Sequence, residues 1–466
     1  MLRGYIFKLT ILSLAAIIFF GACRKREEFS LPDNYVVFST DAQGISEGEN
    51  SIIVKVKLTR PTTTDVPVVI NITDQGAAYG THYTTTPAAT NGVLNLTLPS
   101  GNNEASFTVT KKAGVLFEGT EKISFDLYSS GSPILIGTTK HYTLSFAELV
   151  ATNSTMTVNG GGATYPNKVF IDLSANRQTA VLRTNWDLGF YTDPNDFKVI
   201  LNASTAMMAR QINKNDLTQV TAADTTGFLS ELSLSSFAFN PAQMANVDYH
   251  TGDLSKTAIG LIAENASDNK VFIINRGTGV GSPAPARGWK KIRILRNASG
   301  GYTLQHADIA STTFSSIDIP KDDRYFYKYV SFENGIVPVE PEKKKWDIAW
   351  TYSTYIFVSG GVESPFMFQD MVFQNRNVQV AKVTTASKTY EAFAEADLAG
   401  LTFSSSLSTI GSDWRRTSPS PAMAWDDRYY IIKDGDGNYY KVKFTGISEG
   451  GVRGFPSIAY TLVKRA

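Results

Sequence analysis

A repeated block of aromatic and acidic residues constrains the fold of this chain more than any other feature of its sequence. Trp186-Asp187 leads into an apolar run, and Trp346-Asp347 does the same about 160 residues later. Further blocks repeat at nearly the same spacing, and they are Val169–Ile171 with Tyr329–Ser331, Lys270–Ile274 with Arg428–Ile432, and Tyr302–Leu304 with Tyr460–Leu462. Because this period is too long for a solenoid, we interpret residues 165–310 (the first copy) and 320–466 (the second copy) as a domain-sized internal duplication.

The run around each Trp-Asp pair predicts short strands of a half-buried sheet. Arg183–Asn202 contains an alternating apolar run, a Pro-Asn turn and a second apolar run. Lys343–Gly360 has a similar pattern, so we predict two short strands in each copy. We interpret both Trp-Asp pairs as structural rather than as ligand contacts. In each pair we expect a buried indole whose N–H group has a hydrogen-bond partner. We expect the Asp carboxylate to accept hydrogen bonds from backbone N–H groups of a turn.

The remaining composition favours β structure. Tyr, Phe, Thr, Ser and Gly are abundant, and long helical periods are few. The helix candidates are Tyr390–Leu398 and, more weakly, Thr205–Asn213. A formal net charge of +1 gives no reason to expect a nucleic-acid partner. We therefore predict an all-β protein, in which an N-terminal β-sandwich precedes the two β-rich copies.

Residues 1–22 are typical of an export signal. The apolar run Ile11–Phe20 is too short to span a membrane and is followed almost at once by charge. Cys23 is the only cysteine, and a lone cysteine directly after such a run resembles the lipobox of bacterial lipoproteins. The resemblance implies a lipid anchor on Cys23 with residues 23–33 as a tether. The alternative for Cys23 is an ordinary buried or free thiol.

Residues 34–147 are predicted to form a β-sandwich of about seven strands. Strand-like runs alternate with turns rich in Gly, Pro, Asn and Ser, and the runs are Tyr35–Phe38, Ser51–Leu58, Val66–Ile72, Val93–Leu98, Ala105–Val109, Lys122–Tyr128 and His141–Phe146. The stretch 148–164 has three consecutive glycines among Asn, Ser and Thr, and it offers little to bury. We interpret it as a linker.

The motifs of this first unit, taken in order, resemble those of a Calx-beta domain. They are Ser46-Glu47-Gly48, Ala77–Tyr83, Leu98–Gly101 and Glu118–Glu121. The family binds calcium through loop carboxylates, and the resemblance places Glu47, Glu118 and Glu121 at such positions. This chain has His82-Tyr83 where the family usually has Asp-Tyr, and imidazole is a poor calcium ligand. We therefore expect a structural spacer, with a calcium site as the alternative.

The two repeated copies resemble the HmuY family of haem-binding surface lipoproteins. The second copy matches best, through Tyr329–Phe332, Lys345–Ala349, Tyr429–Phe444 and Ile458–Leu462. The first copy is a more divergent relative. The resemblance implies an all-β lipoprotein exposed on the outer membrane of a Gram-negative bacterium. It also implies that haem is gripped by two axial side chains and passed to a TonB-dependent transporter in the same membrane.

The family's two histidine ligands are missing from the second copy. In the family one ligand lies in the loop before the penultimate hairpin, and here that loop, Trp414–Asp427, contains no histidine. Met423 is the one possible iron ligand in the loop, and Met371 is the nearest other thioether. His250 and His306 lie in the first copy without partners at a recognisable spacing. These four residues are the candidate haem ligands, and a structural role is the alternative for each.

The same loop concentrates indole and guanidinium groups. They belong to Trp414, Arg415, Arg416 and Trp425. Guanidinium groups pair with carboxylates and aromatic rings stack on flat ligands, so the loop is predicted to bind a planar anionic ligand. A porphyrin meets this description, and a glycan or a partner protein is the alternative.

Patterns that suggest catalysis or a calcium loop lack the required context. Gly44–Gly48 and Gly446–Gly450 fit Gly-x-Ser-x-Gly, but that chemistry needs a strand–turn–helix and a later histidine. Asp434–Asn438 begins like a calcium loop, yet Thr445 stands where the closing Glu belongs, so we predict a hairpin turn. We therefore predict a lipid-anchored binding protein that captures haem or another nutrient, and not an enzyme. The alternative is a structural or adhesive surface lipoprotein that binds protein or glycan and has no haem site.

Overall fold

The computed structural model describes residues 31–45, 49–113, 115, 117, 120–146, 153–234 and 239–466. Within these ranges the chain forms thirty β-strands and a few short helical turns, so the all-β prediction is confirmed. No helix in this part of the chain is long and apolar enough to cross a membrane. The export signal and Cys23 lie outside the described residues.

The N-terminal unit is a sandwich of two five-stranded sheets. One sheet contains β1 (Tyr35–Phe38), β3 (Ser51–Leu58), β5 (Tyr83–Thr86), β7 (Glu104–Lys111) and β9 (Leu135–Ile136). The other contains β2 (Ala42–Gly44), β4 (Val66–Gln75), β6 (Val93–Leu98), β8 (Lys122–Ser130) and β10 (His141–Ser145). Alternate residues of each long strand face one shared core, as Val54 and Val56 do. All seven predicted strands are present, and the short strands β2, β5 and β9 were missed.

The remaining described strands form one body behind the sandwich. Its earlier strands are β11 (Asn153–Thr157), β12 (Asn167–Asp172), β13 (Arg177–Leu182), β14 (Leu188–Tyr191), β15 (Val199–Leu201), β16 (Met208–Ile212), β17 (Val271–Asn275), β18 (Trp289–Arg296), β19 (Tyr302–Ala307) and β20 (Ser315–Ile319). Its later strands are β21 (Tyr327–Ser331), β22 (Gly335–Val337), β23 (Ile348–Ser359), β24 (Val362–Gln374), β25 (Gln379–Thr384), β26 (Arg415–Arg416), β27 (Met423–Ala424), β28 (Arg428–Lys433), β29 (Tyr439–Glu449) and β30 (Val452–Lys464).

The helical segments of the described chain are single turns or little more. They are the α-helical turn Phe228–Glu231 and the 3₁₀ turns Ala203–Thr205, Leu217–Gln219, Ala222–Thr225, Pro241–Asn246, Leu254–Lys256, Ala266–Asp268 and Glu395–Gly400. Those between Leu217 and Val247 pack with β16 and β17 around a core that includes Leu217, Leu232, Val271 and Ile273.

The two copies exchange strands. Strand β12 of the first copy pairs with β23 of the second in the sheet β13-β12-β23-β24, and β14 of the first copy pairs with β21 of the second in the sheet β15-β14-β21-β22. The strands that precede each copy behave likewise. Strand β11 precedes the first copy and completes the sheet of β25, β28, β29 and β30, whereas β20 precedes the second copy and completes the sheet of β16–β19. The duplication therefore folds as one interleaved body.

The predicted linker contains part of this exchange. Within 148–164, strand β11 pairs with β30 and buries alternate side chains, those of Ser154 and Met156. A two-residue alternation that short is not recognisable without its partner strand. The same stretch contacts the sandwich, because the Ser154 hydroxyl donates to Ser39 O at 3.0 Å.

Three local predictions in the copies are wrong. Thr205–Asn213 is mostly strand β16 rather than helix, because it pairs along its length with β17. Tyr390–Leu398 forms turns, with a 3₁₀ segment only at its end. Lys343–Gly360 contains one twelve-residue strand instead of two short ones, since the second copy lacks the Pro-Asn turn that separates β14 from β15.

Candidate functional site

The first Trp-Asp pair bonds to the second copy. Asp187 donates its backbone N–H to Val330 O at 2.8 Å, and its carboxylate accepts the N–H of Phe332 at 2.9 Å. The indole of Trp186 packs edge-on against Tyr329, with ring centroids 4.7 Å apart. The carboxylate therefore has a structural role, but it caps a strand of the other copy rather than its own turn.

The second Trp-Asp pair makes the reciprocal contacts. Asp347 donates to Ile171 O at 2.7 Å, and its carboxylate accepts the N–H of Leu173 at 2.8 Å. Ile171 accepts from Asp347 as Val330 accepts from Asp187, so Ile171 and Val330 are equivalent positions in the structure. The sequence repeat had aligned Ile171 with Ser331 instead. The structural repeat is thus shifted by one residue in this strand.

Both indoles are buried, but the predicted hydrogen bond to their N–H groups is wrong. Within the described chain, the Nε1 atoms of Trp186 and Trp346 are buried without a hydrogen-bond partner. Trp346 packs edge-on against Phe170 at 5.0 Å, as Trp186 does against Tyr329. Each indole is therefore held by an aromatic face of the other copy.

The loop Trp414–Asp427 borders a cleft of about 570 Å³. The cleft is lined by Thr385, Tyr390, Glu391, Ala422, Met423, Ala424, Trp425, Asp426, Arg428, Tyr429, Lys443, Phe444, Thr445, Gly446, Ile447 and Ser448. Inside the loop β26 and β27 pair as a short ribbon, which brings Arg416 opposite Met423. Of the residues singled out in the sequence, Met423 and Trp425 line this cleft.

Both basic residues of the cleft pack on an aromatic ring and pair with an acid, Arg428 on Trp425 and Lys443 on Tyr390. The Arg428 guanidinium lies 4.9 Å from the Trp425 ring, and it bonds to Asp413 at 2.6 Å. Lys443 lies 3.2 Å from Glu391. The cleft therefore has an aromatic face with paired positive and negative charges around it, and its electrostatic potential is not dominated by one sign.

Met423 supplies the sulfur of the cleft. The side chain is half-buried, and its Sδ accepts a hydrogen bond from Arg416 Nη2 at 2.8 Å. The two lining tyrosine hydroxyls bond to main chain instead of facing the cleft freely: Tyr390 donates to Lys441 O, and Tyr429 donates to Lys388 O. An iron atom in this cleft would therefore take its protein ligand from Met423.

Trp414 and Arg415 hold the loop onto the sheet and do not line the cleft. Trp414 is 1% exposed, donates from Nε1 to Asp370 O at 2.9 Å and stacks on Phe444 at 4.3 Å. Arg415 lies 3.7 Å from the Asp370 carboxylate, which also pairs with Arg453. Burial raises the pKa of Asp370, and the two guanidinium groups oppose that shift.

Asp370 can reach both arginines because of its backbone. It has a φ of 56° at an irregular position in the β23–β24 hairpin, where the register shifts between Thr351 and Ser353. The bulge directs a buried carboxylate towards the loop. The loop's first arginine is thus used by the fold, which its sequence context does not reveal.

The other candidate haem ligands lie in separate places. Met371 is fully buried on β24 and does not line the cleft. His306 is buried on β19 beside Phe332, and burial lowers its pKa. His250 packs on Tyr355 at 4.1 Å, and burial lowers its pKa to about 4, so its imidazole is neutral at neutral pH. Of the four candidates, only Met423 lines the cleft beside Trp414–Asp427.

The structure describes only one of the three candidate calcium residues. Glu47 and Glu118 lie outside the described residues, and Glu121 is half-buried with partners of its own. His82 accepts the N–H of Ala78 through Nδ1 at 3.0 Å. No group of three or more His, Cys, Asp or Glu side chains in this part of the chain is placed to hold a metal ion.

Sequence reasoning missed Arg428 and Lys443 as cleft residues. They lie on the neighbouring strands β28 and β29, directly after the loop that was singled out. The hairpin formed by β28 and β29 could have indicated them, because paired strands place their side chains next to each other.

One family model and several solved structures are similar to this chain. The HmuY protein family model matches residues 164–303 and 323–460. A solved protein from Bacteroides vulgatus, described as HmuY-like and heme-binding, is 11% identical, covers 68% of this chain and 94% of its own, and has a TM-score of 0.17. One from Bacteroides ovatus, described as carbohydrate-binding, is 11% identical, with 92% and 98% coverage and a TM-score of 0.19.

The sandwich also has a structural relative. The apo form of the Calx CBD1 domain is 18% identical, covers 24% of this chain and 95% of its own, and has a TM-score of 0.21. No curated protein matches the chain. Because the family model matches more than half of its residues, in two tandem segments, the chain belongs to the HmuY family.

Proposed function

We propose that this chain is a lipid-anchored surface protein that captures haem in the cleft beside Trp414–Asp427. The observation that carries the proposal is the Met423 sulfur at the edge of a cleft walled by Trp425, in a member of a family of binding proteins. A porphyrin would stack on the Trp425 indole, and Arg428 and Lys443 would pair with its propionates.

A single thioether ligand would hold haem iron weakly enough for the protein to capture haem and then release it. The Arg416–Met423 hydrogen bond must open before the sulfur can bind iron. One sulfur ligand holds iron less firmly than the family's two axial side chains. We propose that haem then passes to a TonB-dependent transporter in the same outer membrane, near which the Cys23 lipid would keep the protein.

A haemin titration of the chain from Glu27 onwards tests this site, with visible absorption recorded in both redox states. We expect a saturable Soret shift that Met423→Ala weakens by roughly tenfold or more. Met371→Leu is the matched control, because it replaces a thioether that does not line the cleft. An unshifted Soret band, or a shift unchanged in Met423→Ala, would overturn the proposal. Loss in His250→Ala or His306→Ala instead would move the site to the first copy.

The charge pairs of the cleft favour glycan binding as a second candidate function. Arg428 and Lys443 are each neutralised by a carboxylate, which weakens the attraction for a dianionic porphyrin. A neutral sugar can instead stack on Trp425 and bond to the paired charges. Trp425→Ala should abolish either kind of binding, whereas Met423→Ala should affect haem alone. A calorimetric titration with neutral oligosaccharides, run on both variants, separates the two functions.

A further inference from the structure

A second cavity lies at the junction of the two copies. It measures about 140 Å³, and its walls come from both copies, including Trp186 of the first and Trp346 and Phe326 of the second. It shares no lining residue with the cleft beside Trp414–Asp427. The volume corresponds to roughly five waters of bulk liquid, which admits a small ring and excludes a porphyrin.

The carboxylates at this cavity are already satisfied. Asp248 accepts the backbone N–H groups of Leu201 at 2.6 Å and Ala258 at 2.9 Å. Glu340 accepts two backbone N–H groups and the Tyr329 hydroxyl, at 2.8–3.1 Å. Carboxylates with this many donors have little capacity left for a ligand cation.

The arginine of the cavity also has its own acceptors. Arg376 donates from Nε to the Tyr327 hydroxyl and from Nη2 to Gly252 O, both at 2.8 Å. These two bonds fix the guanidinium in the wall. The other cation of the lining is Lys168.

Lys168 brings an ammonium group to the cavity without a hydrogen-bond acceptor in the described chain. Its Nζ lies 5.0 Å from the Phe170 ring and 5.9 Å from the Trp186 ring. Burial lowers its pKa, and the negative charge of Glu340 opposes that shift. An ammonium has three donors, and cation–π contacts use none of them as hydrogen bonds, so this group has a strong capacity for an anion.

Two of the unused polar atoms of the cavity lining are indole N–H donors. The Nε1 atoms of Trp186 and Trp346 lack partners within the described residues, and the Oε1 of Gln374 is an unused acceptor. His250 Nδ1 is also unpartnered there, on an imidazole that is neutral at neutral pH because burial lowers its pKa to about 4. Burial raises the pKa of Glu340 to about 7, so its negative charge is incomplete near neutral pH.

We propose that this cavity binds a small aromatic carboxylate. The carboxylate accepts hydrogen bonds from Lys168, and the ring packs against the indoles of Trp186 and Trp346. The aromatic side chains of the wall make the apolar contacts with the ring of the ligand. The ammonium orients the ligand by its carboxylate, so the cavity should bind an aromatic acid more tightly than an uncharged aromatic molecule. Because both copies contribute to the walls, the interleaved fold creates the site.

Titration of the intact chain with benzoate tests this site, read out by quenching of tryptophan fluorescence and by a shift in Tm. We expect saturable benzoate binding and roughly tenfold weaker binding of benzamide, which has the same shape without the charge. Lys168→Met should reduce benzoate affinity by roughly tenfold, while Lys168→Arg keeps the charge and most of the affinity. Lys198→Met is the matched control, because Lys198 does not line the cavity.

Equal binding of benzoate and benzamide to the wild-type chain would overturn the proposal without any variant. So would full benzoate affinity in a folded Lys168→Met chain, or no saturable signal with benzoate, phenylacetate or salicylate. The haemin titration of Lys168→Met should match that of the wild type. The two sites can therefore fail separately.

Discussion

The two copies exchange strands in the same way, but the charged residues around their buried Asp carboxylates differ. In the first copy the buried carboxylate of Asp187 lies 2.9 Å from the Arg276 guanidinium. In the second copy the repeat places Asp434 at the position of Arg276. Burial first, and then the neighbouring carboxylates of Asp172 and Asp434, raise the pKa of Asp347 well above its ordinary value.

This difference shows which contacts define the fold and which were added to it. Both carboxylates accept a backbone N–H group from the opposite copy, so that bond is common to the two halves. Among the described residues the ion pair is found on the first side, where Arg276 also bonds to Glu333 of the second copy. The exchange of strands therefore does not depend on a buried ion pair, although the first half is strengthened by one.

Cutting the chain between the copies should have the largest effect on this comparison. A protease site inserted after Asp323 leaves β20 with the earlier half and β21 with the later one. Because β12 pairs with β23 and β14 with β21, the nicked halves should elute together at the size of the intact chain. Either half expressed alone should lack the cooperative unfolding transition of the intact body. Separation of the nicked halves into two folded monomers would disprove the interleaved arrangement.

Removing the first copy's cation should have the next largest effect. Arg276→Met leaves the buried Asp187 with Arg287 alone, and breaking a buried pair costs about 3 kcal/mol of unfolding free energy. The matched control is Arg324→Met, whose pair with Asp322 is exposed and should contribute much less. Urea unfolding followed by tryptophan fluorescence measures both. Equal losses in the two variants would show that the buried pair adds nothing.

Neutralising the two Trp-Asp carboxylates should have smaller effects of opposite sign. Asp187→Asn removes an ion pair and should lower stability at pH 8. The raised pKa of Asp347 favours its protonated form in the folded chain, so wild-type stability falls as pH rises through that pKa. Because the side chain of Asp347→Asn cannot ionise, this variant should have an unfolding free energy about 1 kcal/mol higher than the wild type at pH 8. Thermal unfolding between pH 4 and pH 8 tests it, and a destabilised Asp347→Asn chain at pH 8 would contradict the expectation.

Local patterns predicted much of this structure. The seven long strands of the sandwich alternate every two residues, and that period depends on each strand alone. Thr205–Asn213 was mistaken for a helix because a nine-residue segment carries too little periodicity to outweigh its pairing with β17. The twelve-residue strand β23 was divided in two because the first copy's Pro-Asn turn was assumed to have a counterpart.

The candidate site was predicted only in part, for a related reason. Met423 and Trp425 line the cleft, and the sequence singled out the loop that carries them because its residues are continuous in sequence. Trp414 and Arg415 belong to the same loop, but they bond to Asp370 on a distant strand. Sequence spacing shows which residues are neighbours along the chain, and it does not show which of them a buried carboxylate will use.

The sequence by itself determined the all-β class, seven strands of the sandwich, the duplication and the family resemblance that the family match confirmed. Only the tertiary structure decided that the copies interleave, that a cavity with Lys168 opens at their junction, and that Asp187 meets Arg276 while Asp347 meets acids. The physical reason is that strand pairing uses backbone groups common to every residue. Two equivalent copies can therefore pair within themselves or with each other, and the packing of the whole body selects the partner.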